Sequence, residues 1–136
     1  MTKSTREEAE MYMKFRNIYY TNKKLQEAWD WYQTEFEDEL EYEDFKKKYP
    51  IGSKGEKNFH FVGYYFELLG TLVYEGHIPA QLHLNACGST GFFKAKKIVE
   101  GMRKETDNPH RYENWQYISD IIDEYWVEHQ KGKPRY

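Results

Sequence analysis

Large apolar residues recur at spacings of three and four along most of the chain, and no stretch shows the strict alternation of a half-buried strand. A first helix is predicted from about Ser4 to Tyr20, with Met11, Phe15 and Ile18 on one face and a junction or N-cap at Thr21 or Asn22. A second, from about Lys23 to Phe36, presents Leu25, Trp29, Tyr32 and Phe36 as a core stripe. A short helix over Tyr42–Tyr49 should end before Pro50, because the residue preceding proline avoids the α region. "PIGSKGEKN" reads as a loop, and the likeness to a flexible connector is clearest there.

The central element is expected from Asn58 to about Glu75. Phe59, Val62, Phe66, Leu69 and Val73 form one stripe and Phe61, Tyr65, Leu68 and Leu72 another, so neighbouring helices should surround it. Gly76 stops this helix, and Pro79 suits the first turn of a short one ending near Cys87 and Gly88. Ser89 or Thr90 should cap the next, which runs to about Glu105 with Phe92 or Phe93, Ala95, and Val99 or Met102 inward. Asp107 or Asn108, followed by Pro109, predicts the start of a last helix carrying Trp115, Ile118, Ile122 and Tyr125. The fold class is therefore all-α: a single compact bundle of about six or seven helices with short connections, over residues 1–130, and a flexible tail at 131–136.

Composition sharpens this picture. At 136 residues the chain is long enough for one real core, and although only 39% of residues are apolar, 18% are aromatic. Few but large rings can build that core, each burying roughly 150–250 Å². A net charge of -3 draws the molecule to neither nucleic acid nor an anionic membrane. Seven carboxylates between Glu35 and Asp44 precede Lys46, Lys47 and Lys48, which reads as a solvated helix end and loop. One cysteine makes no intrachain disulfide, and the charged N-terminus has no apolar signal core. The longest apolar stretch is broken by His60 and Glu67 and falls short of the roughly 20 residues of a membrane span. A soluble, cytoplasmic protein without a cofactor is the expectation.

Three segments resemble a family known as domain of unknown function 4760. They are "YYFELLGTLVYEGHIPAQLHLNACG", "GFFKAKKIVEGMRKETDNP" and "RYENWQYI", in that order and at similar spacing, along a stretch from about Phe59 to about Trp115. The resemblance implies a small helical protein of bacteria or archaea. Some members carry an N-terminal membrane anchor, which the charged start of this chain does not match. It implies no activity.

Candidate chemistry is sparse. His83 and Cys87 lie four apart on one predicted helix, with His77 just upstream, a set that would supply three zinc ligands but matches no ordinary zinc spacing. The structural alternative is a small buried cysteine and histidines near helix ends. Cys87 falls at a helix C-terminus, where the dipole disfavours a thiolate nucleophile. No hydrolase elbow, phosphate loop, dinucleotide fingerprint or Glu-x-x-His pair occurs. His60, Gly63, Glu67, Gly70 and Tyr74 share a stripe on the central helix. Glycines there would admit a neighbouring helix while Glu67 pairs with an arginine such as Arg103 or Arg111. Alternatively the stripe lines a cleft, with Glu67 and His60 as acid or base.

"QLHLNACGSTGFFKAKKI" has the outline of a helix-turn-helix, but it brings Lys94 to the position that an apolar residue should fill. That mismatch and the overall acidity argue against nucleic acid. Thirteen tyrosines exceed what this core needs. Tyr12, Tyr19, Trp31, Tyr64 and Trp126 fall off or at the edge of the inward stripes and are candidate interface residues. The leading expectation is a protein-interaction module, a homo-oligomer or a binder of another protein. The rival is a ligand- or metal-binding protein using Glu67 with His60, or His83 and Cys87.

Overall fold

The computed structural model describes residues 3–86 and 88–128, and these form seven helices: α1 (Arg6–Thr21), α2 (Lys23–Thr34), α3 (Tyr42–Lys48), α4 (Lys54–Tyr74), α5 (Ala80–Ala86), α6 (Phe92–Glu105) and α7 (Glu113–Glu128). The all-α bundle is as the periodicity predicts. Cys87 and the 131–136 tail lie outside the described residues.

The starts of α1, α2, α4 and α6 have local causes. Thr5 and Glu8 form a reciprocal capping box at α1. Asn22 ends α1 and caps α2, its side chain accepting from the Leu25 N–H at 3.0 Å. The Gln26 amide donates back to the Tyr19 and Tyr20 carbonyls, so one elbow satisfies both helix ends. α4 starts four residues earlier than expected, inside the segment read as a loop. Ser53 accepts from the Glu56 N–H at 3.2 Å, and this Ser-x-x-Glu signature outweighs the glycine and lysine content. At α6 the cap is Gly91 rather than Ser89 or Thr90. Its φ of 65° is one that an L side chain rarely adopts, and Thr90 is buried instead.

α4 is the axis of the bundle, packed against α2 on one side and α7 on the other. Phe59, Val62, Phe66 and Leu69 are buried as expected. The second predicted apolar stripe is not: Phe61 and Leu68 are exposed, and only Tyr65 of that set is fully covered. α7 instead covers the face of small and polar residues. A Cβ on Gly70 would lie 2.0 Å from the Asn114 carbonyl oxygen, and one on Gly63 would lie 2.7 Å from the Tyr112 ring. Close backbone approach, not apolar area, makes this contact.

Trp115 is the core's centre. Its ring meets Phe59, Phe66, Phe92, Tyr32 and Tyr112, and its indole N–H donates to the Thr90 carbonyl at 2.8 Å. In α1 the inward residues are Tyr12 and Phe15, and Ile18 turns to solvent. Of the α6 pair, Phe92 is buried and Phe93 exposed.

Lys94 is buried as well, which reverses the premise used against a helix-turn-helix. Its ammonium donates to the Tyr32 carbonyl at 2.6 Å, lies over the Tyr32 and Phe36 rings, and reaches Asp38 at 3.4 Å. A long stem can cross an apolar layer when its charged end finds such partners.

Candidate functional site

The polar stripe of α4 separates into two arrangements at opposite ends. At the C-terminal end is Glu67. α7 starts at Glu113, four residues later than the Pro109 signal indicates, after Tyr112 at φ 55°. The Tyr112 carbonyl accepts the first helical bond, from Gln116, so Tyr112 holds the N-cap position with a side chain unable to cap. Glu67 caps in its place. Its Oε1 accepts from the Asn114 N–H at 3.1 Å and the Trp115 N–H at 2.9 Å, and its Oε2 from the Asn114 amide at 2.8 Å. A carboxylate at a helix N-terminus also meets the positive end of the dipole.

The expected arginine partner is therefore replaced by backbone donors. Arg103 donates instead to the Arg111 carbonyl and to the Gln116 side chain, both at 2.8 Å, while its Nη2 is buried without a hydrogen-bond partner. Arg111 lies over the Tyr112 ring.

His60 anchors the other end. Its Nε2 faces Glu56 Oε2 at 2.9 Å, and its Nδ1 meets the Tyr112 hydroxyl. The imidazole, Tyr64 and Tyr112 rings form a triangle with centroids 5.6–5.9 Å apart, the imidazole plane within 23° of either phenol. Burial, reinforced by the Arg111 charge, lowers the His60 pKa against the opposing pull of Glu56. Burial also raises the Tyr112 pKa. At neutral pH the imidazole is neutral, which assigns a donating Nε2–H to Glu56 and an Nδ1 that accepts from the phenol. Glu67 is two turns away on the same helix, about 10 Å along its axis, and His60 bonds to Glu56 and Tyr112 instead.

Beside this relay is a surface groove of about 470 Å³. Tyr42 and Phe45 of α3, Tyr49, Pro50 and Ile51 of the following turn, and Met102 of α6 form its apolar walls, and Glu56, His60, Glu105 and Arg111 also line it. Ile51 and Glu56 escape a reading that treats residues 50–58 as a plain loop. The Ser53/Glu56 capping signature is the signal that would have placed Glu56 and His60 one turn apart on a helix.

The remaining candidates disperse. His83 is fully buried, its Nδ1 meeting the Tyr12 hydroxyl at 3.0 Å and its Nε2 the Ser89 carbonyl at 2.9 Å. Both ring nitrogens are thus engaged, and burial lowers the pKa. His77 is exposed. Among the described residues no group of three His, Cys, Asp or Glu could hold a metal ion, and Cys87 is outside them.

The five aromatic candidates share no single surface. Tyr12 belongs to the core. Tyr19, Trp31 and Trp126 are half-buried on three separate clefts, at Trp29, at Asp30 and between α6 and α7. Tyr64 is 58% exposed.

These features define a small all-α bundle organised on a central helix that caps its neighbour. The model of the domain of unknown function DUF4760 matches residues 5–120, from the α1 capping box into α7, and the chain belongs to that family. No curated protein and no solved structure matches it. Among the described residues no helix is long and apolar enough to cross a membrane.

Proposed function

We propose that this chain is a self-association module that docks through the outer face of α4. The observation supporting this is the ridge of Phe61, Tyr64 and Leu68, spaced three and four apart and 37%, 58% and 39% exposed. Tyr74 belongs to the neighbouring stripe with Gly63, Glu67 and Gly70, where Tyr117 of α7 packs edge-on against its ring, and is not part of this ridge. Single exposed apolar residues are ordinary, whereas a run of them along one helix is a docking feature. A twofold arrangement lays the ridge against its own copy and leaves the tyrosine hydroxyls wet at the margin.

Sedimentation velocity over a micromolar concentration series tests this, comparing the natural chain with Tyr64→Glu/Leu68→Glu. The expected result is a dimer for the natural chain and a monomer for the variant, with a native helical circular dichroism spectrum; Leu68→Glu alone is the control, because the Tyr64 ring also packs against His60 and Tyr112. A natural chain that stays monomeric throughout refutes self-association.

A further inference from the structure

The groove between α3, α6 and the start of α4 is lined by two acids and two strong bases, which are not equally engaged. Both acids accept hydrogen bonds. Glu105 accepts from Lys46 at 2.9 Å. Glu56 meets His60 at 2.9 Å and accepts from the Gly52 N–H at 3.1 Å. Lys46 is likewise satisfied, pairing with Glu43 as well as Glu105. Arg111 differs. Its guanidinium lies 5.5 Å from the centre of the Tyr112 ring and, among the described residues, takes part in no ion pair.

The walls leading to it are apolar. Ile51 is 97% exposed at the rim, an unusual place for a β-branched aliphatic residue, while Tyr49 and Phe45 continue the surface inward. The volume of about 470 Å³ falls in the range of small-ligand sites, roughly 300–1,000 Å³. Such sites combine an apolar lining with a few polar groups that fix orientation.

We propose that this groove binds a small amphiphilic carboxylate, its head group on Arg111 and its hydrocarbon portion along Ile51, Pro50 and Tyr49. A planar guanidinium suits a carboxylate because two parallel N–H donors match its two oxygens. A cationic ligand is disfavoured by the Arg111 charge itself, and both lining acids already accept hydrogen bonds. An uncharged one makes no use of the guanidinium charge. This inference does not depend on self-association through α4.

Octanoate is the probe, titrated into the full, isotopically labelled chain and followed by amide chemical shifts, with octan-1-ol as the uncharged control. Saturable shifts are expected at Ile51, Glu56 and Arg111, with octan-1-ol binding about tenfold more weakly. Arg111→Met keeps the length of the stem and should weaken octanoate to the level of the alcohol. Ile51→Ser, at a fully exposed position, should weaken both ligands without altering the fold. Absence of saturable shifts at millimolar octanoate overturns the proposal. So does equal affinity for the alcohol, or an Arg111→Met variant that folds and binds octanoate as well as the natural chain.

Discussion

Glu67→Ala should cost about 2–4 kcal/mol, a large share of the 5–15 kcal/mol that holds a domain of this size together. The substitution removes the acceptor for the second and third N–H groups of α7 and for the Asn114 amide. Loss of an ordinary N-cap costs about 0.5–2 kcal/mol, and a charged acceptor in a partly buried site raises that through its interaction with the dipole. Bonds to charged groups contribute about 1.5–3 kcal/mol each, but three bonds to one carboxylate are not additive and water can enter the vacated space. Glu67→Gln tests the division of this cost. It retains one oxygen for the backbone N–H groups but sacrifices the charge and sets an amide against the Asn114 amide, so about 1–2 kcal/mol is expected. Urea denaturation followed by tryptophan fluorescence measures both, with an unchanged slope showing that the folded state keeps its compactness. A Glu67→Ala chain within about 0.5 kcal/mol of the natural one would refute the capping role. So would a Gln variant that costs as much as the Ala variant.

Two further outcomes follow from the same core. Gly70→Ala would normally favour a helix by about 1 kcal/mol, but its Cβ would lie 2.0 Å from the Asn114 carbonyl oxygen, a backbone atom that cannot turn aside. The thermal midpoint should therefore fall, and a rise would show that α7 moves freely on α4. Stability should also decline as pH drops below about 6.5. Burial lowers the pKa of both His60 and His83 in the folded chain, so the unfolded chain takes up protons first. The two contributions are fully present above the unfolded value of 6.5 and are lost as pH falls toward the lower folded values. Urea midpoints from pH 5 to 7.5 check this, and a midpoint that rises on acidification contradicts it.

The junction of α1 and α2 at Asn22 was legible from sequence, and so was the main apolar stripe of α4, whereas the Ser53 cap was not. Phe59, Val62, Phe66 and Leu69 follow a period that only a helix satisfies, and all four are buried. The second stripe misled because apolar content is a poor guide when a neighbour packs by close approach. Gly63 and Gly70 attract α7, leaving Phe61 and Leu68 at the surface. Lys94 misled for the converse reason: its charge predicts exposure, but the Tyr32 carbonyl and two aromatic rings satisfy its ammonium.

The start of α7 was beyond any local reading. Pro109 marks a turn in sequence terms, yet the helix begins at Glu113, where no preceding side chain can cap it. The information lies 46 residues upstream of that start, in a glutamate whose place on an apolar helix looks anomalous alone. Glu67 and the N-terminus of α7 each present an unsatisfied requirement, a half-buried charge and unpaired N–H groups, and docking resolves both. The same contact fixes Tyr112, whose hydroxyl meets His60 and whose ring supports Arg111 beside the groove. The candidate ligand site is thus assembled by the helix pairing that Glu67 secures. Its residues come from five separate segments that sequence spacing alone does not bring together.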